Sequence, residues 1–269
     1  MGHLRTENER GRFFWNGPLA CAKREHMSAA DKQAGINLQG AGLTIRGRPI
    51  LSDVTLTLTE RRIGIIGRNG SGKTTLLRLM AGLVAPTSGT VRVEGIDPAR
   101  DRKAMLSHLG ILFQNPDHQI LMPTVVEELA FGLHQMGLRE TEDRARAALV
   151  AEGRGHWADQ PVSTLSQGQK QWLCLMSVLL MQPETILLDE PFAALDLPTM
   201  ARLTRRLAAL PQRLITISHA PAAVAGCDRV IWLEEGRIRA DGAPAVVLPE
   251  FEAEMARLGA DDADADLSA

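Results

Sequence analysis

The sequence predicts an α/β fold: a mainly parallel sheet, an N-terminal antiparallel β portion before it, and an inserted helical subdomain. Three observations carry this. Short apolar strands alternate with helical stretches through most of the chain, the pattern of a sheet whose parallel strands are joined by helices. The segment from Ile36 to Leu58 instead alternates residue by residue, as at Val54, Leu56 and Leu58, which reads as antiparallel strands. Between about Pro123 and Gly168 the pattern turns helical, with Val125, Leu129 and Leu133 as an apolar stripe.

Each element follows in order. Residues 1–34 read as an irregular lead with charges scattered around Phe13, Phe14 and Trp15. In the alternating segment, Gly47, Arg48 and Pro49 supply the turn. Arg62 to Ile66 is a short strand, Lys73 to Leu83 a helix, and Thr90 to Glu94 and Leu109 to Phe113 further strands. Inside the insertion, about 123–168, the charges from Arg139 to Ala151 fall at helical spacing and suit a solvated face. A helix runs from Gly168 to about Gln182. It precedes a strand Thr185 to Leu188, a helix Met200 to Leu210, and strands Arg213 to Ile217 and Arg229 to Leu233. The main domain is expected over 35–250, with an acidic tail over 251–269 that loosens after Gly259.

Composition excludes several classes of function. A net charge of −2 and a pI near 6.4 give no basic excess for nucleic acid. Cys21, Cys174 and Cys227 are too few and too scattered for a disulfide framework or a metal knuckle. No run approaches the ~18 apolar residues of a membrane span. The first stretch is polar, with acids among its bases, unlike a signal peptide. The chain is therefore expected in the cytoplasm, reaching a membrane only through another protein.

The strand before Gly67 runs into Gly67, Arg68, Asn69, Gly70, Ser71, Gly72, Lys73, Thr74 and Thr75. This is G-x-x-x-x-G-K-[ST] between a strand and a helix, the phosphate loop of a P-loop NTPase core. Glycines let successive N–H groups turn inward around an anion, and the helix adds the positive end of its dipole. Lys73 suits the β/γ-phosphates, Thr74 a Mg²⁺ ion and Thr75 an α-phosphate oxygen. The loop predicts ATP or another nucleoside triphosphate without separating kinase, GTPase and transport ATPase.

The apolar run Ile186-Leu187-Leu188 delivers Asp189 and Glu190 to a strand end, closed by Pro191. Asp189 suits the metal, directly or through its water, and Glu190 suits polarisation of the attacking water. His219, after another strand, could bond the γ-phosphate or be structural. Gln114, after Phe113, is a neutral side chain able to ligand Mg²⁺ and to move away.

Taken together, the motifs of residues 36–240 resemble the ABC-transporter ATPase family. Leu165-Ser166-Gln167-Gly168-Gln169 resembles that family's LSGGQ signature, a serine and free N–H groups at a helix start. The resemblance implies a head-to-tail dimer, homodimeric or with a paralogue, in which Ser166, Gln167, Gly168 and Gln169 complete the partner's ATP site. It also makes Gln114 the Q-loop residue, His219 the switch histidine and Ala194-Leu195-Asp196 the D-loop. The run Phe113 to Ile120, then Thr124-Val125 and Glu127 to Gly132, is similar to the ATPases of energy-coupling-factor (ECF) importers. Leu165 to Gln171 with Leu175-Met176 is most similar to the ATPase of that group's biotin module. Implied partners are a membrane coupling protein and a separate membrane protein that captures the vitamin, so the ATPase never touches cargo. The implied location is the cytoplasmic side of the cell (inner) membrane, as a peripheral subunit. A cobalt or nickel importer and a soluble ABC ATPase are the alternatives.

Three positions depart from the pattern. Gln167 stands where the signature has a glycine. Ala220 follows His219 where relatives carry an acid. The chain has no tyrosine, and no aromatic lies between Leu43 and Pro49 to stack on adenine. Ile45 or the Arg46 guanidinium would take that place, with weak discrimination between adenine and guanine.

Overall fold

The computed structural model describes residues 35–193 and 195–260. The expected lead over 1–34 and the segment 261–269 lie outside the described residues.

Strands β1 (Ile36–Ile45) and β2 (Arg48–Leu58) form an antiparallel hairpin. Its two-residue turn is Arg46 and Gly47, at φ 49° and 78°, the backbone that matches the twist of a tight hairpin. The turn expected at Gly47 to Pro49 is thus shifted. Arg48 and Pro49 begin β2, an edge strand, where a proline deprives no neighbour of a hydrogen bond.

There follow β3 (Arg62–Ile66), α1 (Lys73–Met80) and β4 (Ser88–Val93), which pairs with β1 to complete a sheet of order β2-β1-β4. Next come α2 (Arg102–His108) and β5 (Leu109–Leu112), then the inserted helices α3 (Val125–Gln135) and α4 (Thr141–Ala151). The chain continues through α5 (Gln167–Leu180), β6 (Thr185–Asp189), α6 (Leu197–Ala209), β7 (Arg213–Ser218) and α7 (Pro221–Val224). It closes with β8 (Arg229–Glu234), β9 (Arg237–Gly242) and α8 (Pro244–Ala260).

The second sheet has the order β5-β6-β7-β3-β8-β9, parallel from β5 to β8 and antiparallel at β9. Its central strands are apolar along their length because both faces are covered. On one face Leu76, Leu77 and Met80 of α1 cluster with Ile63, Ile65, Ile215 and Ile231, and with Leu38 and Leu51 of the hairpin. On the other, Val224 of α7 and Val247, Leu248 and Phe251 of α8 cover Ile66, Val230 and Trp232. Phe251 meets Trp232 edge-on at 5.4 Å. The expected tail from residue 251 is therefore helix as far as Ala260, because that apolar stripe anchors it.

The insertion has its own core, formed by Val125, Leu129 and Leu149 with Leu173 of α5. At its joint with the sheet domain, Trp157 meets Trp172 of α5 edge-on at 5.5 Å. The Arg154 guanidinium lies 4.3 Å over the Trp172 ring. Arg206 of α6 bonds Glu152 twice, at 2.7 and 2.6 Å, which holds the Glu152 carboxyl below its ordinary range.

Because β6, β7 and β3 run side by side and parallel, their C-terminal ends place Asp189, Ser218 and Gly67 along one edge. That edge is where open α/β sheets bind ligands.

Candidate active site

Residue 67 has to be glycine: a Cβ there would lie 2.2 Å from the Leu233 carbonyl oxygen of β8. Gly70 and Gly72 sit at φ 81° and 102°, and Gly72 caps α1. Lys73 Nζ donates to the carbonyls of Gly67 at 2.7 Å and Arg68 at 2.8 Å, which fixes the ammonium inside the loop. Burial lowers the Lys73 pKa, against the pull of Glu190, Asp189 and Glu234. Among the described residues the buried Ser71 hydroxyl has no hydrogen-bond partner. A cradle that a side chain would fill, an orphaned hydroxyl and an ammonium at a helix start together fit a polyphosphate.

Thr74, in the first turn of α1, donates to Asp189 Oδ1 at 3.3 Å. Burial raises the Asp189 pKa, and the Thr74 bond opposes it. Glu190 follows at φ 46°, its N–H bonded to the Ile217 carbonyl at 2.9 Å. Its carboxylate accepts from the Ser218 hydroxyl at 3.0 Å and meets His219 Nδ1 at 2.8 Å. The Glu190 side chain is 15% exposed and that of His219 59%, so the pair spans the boundary between protein and solvent. Ser218 was not anticipated from sequence; a hydroxyl directly before a strand-end histidine was the available signal.

Gln114 is exposed, just beyond β5, and lines a cleft with Thr74, Arg78, Asn115, Gln167 and Asp189. The three expected metal ligands thus share one cleft. The Gln119 side chain shapes this loop by accepting from Phe113 N–H at 3.1 Å and donating to the Ile111 carbonyl at 3.3 Å.

The signature residues are organised differently. Ser166 caps α5: its hydroxyl accepts from Gln169 N–H at 3.4 Å, while the Gln169 side chain accepts from Ser166 N–H at 2.7 Å. This reciprocal capping box fixes the turn. A Cβ on Gly168 would come 3.0 Å from Thr199 Cγ2. Asp196 caps α6 by accepting from Thr199 N–H at 2.8 Å, so the signature turn and Asp196 lie on one surface. Gln167 reaches the Gln114 cleft, whereas Ser166 and Gly168 do not line it. Ala194 lies outside the described residues.

A second cleft is walled by Gly67, Arg68, Asn69, His219 and Pro221, and on its far side by Phe251, Glu252 and Met255 of α8. This wall lies beyond residue 250, where the sequence pattern places the end of the main domain. Ile45, the candidate for the adenine, is half exposed at the end of β1.

The ABC transporter family model matches residues 51–193. The biotin transport ATP-binding protein BioM of Rhodobacter capsulatus is 55% identical over 219 residues, covering 80% of this chain and 94% of that protein. The energy-coupling factor transporter ATP-binding protein EcfA1 of Caldanaerobacter subterraneus subsp. tengcongensis is 37% identical over 226 residues, 79% of this chain and 80% of its own. Among solved structures, cbiO1 from Clostridium perfringens is described as part of the ABC transporter complex cbiONQ. It aligns with a TM-score of 0.69 at 30% identity, over 83% of this chain and 93% of that one. On the strength of these matches and of the site they coincide with, the chain belongs to the ABC transporter family, as one of its ATP-binding, ATP-hydrolysing subunits.

Proposed function

We propose that the chain powers an ECF-type importer for biotin, as one of two ATPase subunits held on the cytoplasmic face of the cell membrane. The observation that carries the hydrolytic part is the Glu190 carboxylate, fixed by Ser218 and His219 beside the Lys73 loop. Loop N–H groups and Lys73 hold the β/γ-phosphates. Glu190 polarises a water whose oxygen bonds to the γ-phosphorus; the bond to the bridging oxygen breaks, and ADP and phosphate leave. Thr74, Asp189 and Gln114 would hold Mg²⁺, which when bound would supply charge neutralisation there. With so few protein oxygens, the site suits an ion that keeps several waters.

The exposed turn Ser166–Gln169 and Asp196 serve the nucleotide of a second cassette, a copy or a paralogue. Among the described residues no helix is long and apolar enough to cross a membrane; in this reading a membrane coupling protein links the chain to the bilayer. A separate membrane protein captures the cargo, which the ATPase does not touch, and no nucleic acid takes part.

Biotin rests on the 55% identity with its transport protein; the cobalt import ATP-binding protein CbiO of Syntrophus aciditrophicus, 36% identical, and the nickel import ATP-binding protein NikO of Rhodobacter capsulatus, 40% identical, favour cobalt or nickel as the second reading. Co-expression with candidate membrane subunits decides both. The chain is expected to purify from membranes and to drive biotin uptake. Recovery only in the soluble fraction defeats the transporter reading, and uptake of cobalt or nickel in place of biotin reassigns the cargo.

A further inference from the structure

Two sequence phrases, one after Gln114 and one after Gln169, play no part in the chemistry above, but they touch. Pro116–His118 forms a single 3-10 turn capped by Asn115, whose side chain accepts from Asp117 N–H at 3.0 Å. Asp117 Oδ1 accepts from Lys170 Nζ at 2.6 Å. One turn further along α5, the Cys174 thiol lies 3.9 Å from the Pro116 carbonyl.

Lys170 stands between two other tethers. Gln169 closes the cap on Ser166, and the buried Gln171 side chain reaches the Pro191 carbonyl at 3.5 Å, one residue past Glu190. Successive helical residues point about 100° apart, so three neighbouring side chains hold three different loops of the site.

We propose that the Lys170–Asp117 pair is a positioning link for ATP hydrolysis, locking the Gln114 loop to the helix that begins at Ser166. Asp117 is 51% exposed and Lys170 18%, and ion pairs this open add little stability. What the short charge-assisted contact supplies is registration. A displacement of the Gln114 loop passes through Asp117 and Lys170 to the first turn of α5. From there Gln169 carries it to Ser166, and Gln171 carries it to the segment after Glu190. The link rests on the reading of Glu190 and Ser166 given above.

The test uses the full chain with Lys170→Met, Asp117→Asn and the exchanged pair D117K/K170D. Each single substitution is expected to lower kcat about three- to tenfold, the scale of a small misplacement, with KM within about twofold. Direct ATP titration stays unchanged, and the exchange recovers more than half of the lost kcat. Single variants with wild-type kcat overturn the link, as does an exchange no faster than the slower single variant. Asp117→Asn, at an exposed turn, guards against a folding failure at Lys170. Glu190→Gln assayed alongside separates the two readings: unchanged turnover there removes the role of Glu190, while the exchange still decides the link.

Discussion

The phosphate loop and the turn at Ser166 both present N–H groups at a helix start, and they are finished in opposite ways. In the loop, Lys73 is drawn inward, the Ser71 hydroxyl has no partner among the described residues, and Gly67 is pressed against β8. The turn satisfies itself through its capping box, and Ser166 and Gln167 stand exposed. A buried, unsatisfied cradle is a binding site within its own chain. A satisfied, exposed turn binds only when another molecule brings an anion to it. On the function proposed above, the contrast separates the half of the site held within one chain from the half offered to a second cassette.

Lys73→Ala breaks the first half. Removing a charge that faces phosphate costs about 2–5 kcal/mol of affinity, roughly 30-fold or more, read by direct ATP titration. Unchanged affinity would leave the loop without its cation role. Glu190→Gln spares binding and removes chemistry: turnover falls about 10²–10⁴-fold, and gel filtration with ATP shows a trapped dimer. A monomer with wild-type turnover refutes the base assignment. Ser166→Ala tests the borrowed half. It leaves titration unchanged, lowers turnover about tenfold and costs about 1 kcal/mol of stability through the lost cap. Mixing it with Lys73→Ala chains restores turnover, because one composite site is then whole; no gain on mixing means the turn serves its own chain. The smallest effect concerns the base. ATP and GTP should bind within about tenfold of each other, and a preference of several hundredfold would show that residues outside the hairpin read adenine.

The loop was legible in sequence because strand, glycines, lysine and helix are contiguous, and β3 matches its expected span from Arg62 to Ile66. α5 likewise shows its 3.6-residue pattern and its cap. By contrast, α8 was hidden by acidic composition and by Pro249 within it, although Val247, Leu248 and Phe251 already held the stripe that binds it to β8. Arg46 in the left-handed region was masked by the more obvious turn residues beside it. Lys170 and Asp117 are 53 positions apart; only packing of α5 against the Gln114 loop brings them together, and local pattern carries no trace of that.

The joint between insertion and sheet domain has an optical consequence. Two of the chain's four tryptophans, Trp157 and Trp172, lie there edge to face. The Arg154 cation rests over both rings, at 5.1 and 4.3 Å, and a charge held against an indole interacts strongly with its π-system. Trp172 sits on the helix that Ser166 caps, and Arg206 of α6 lies 6.0 Å from its ring, so a shift of α5 against α6 would alter the field at an intrinsic fluorophore. Tryptophan emission would thus report such a shift without a label.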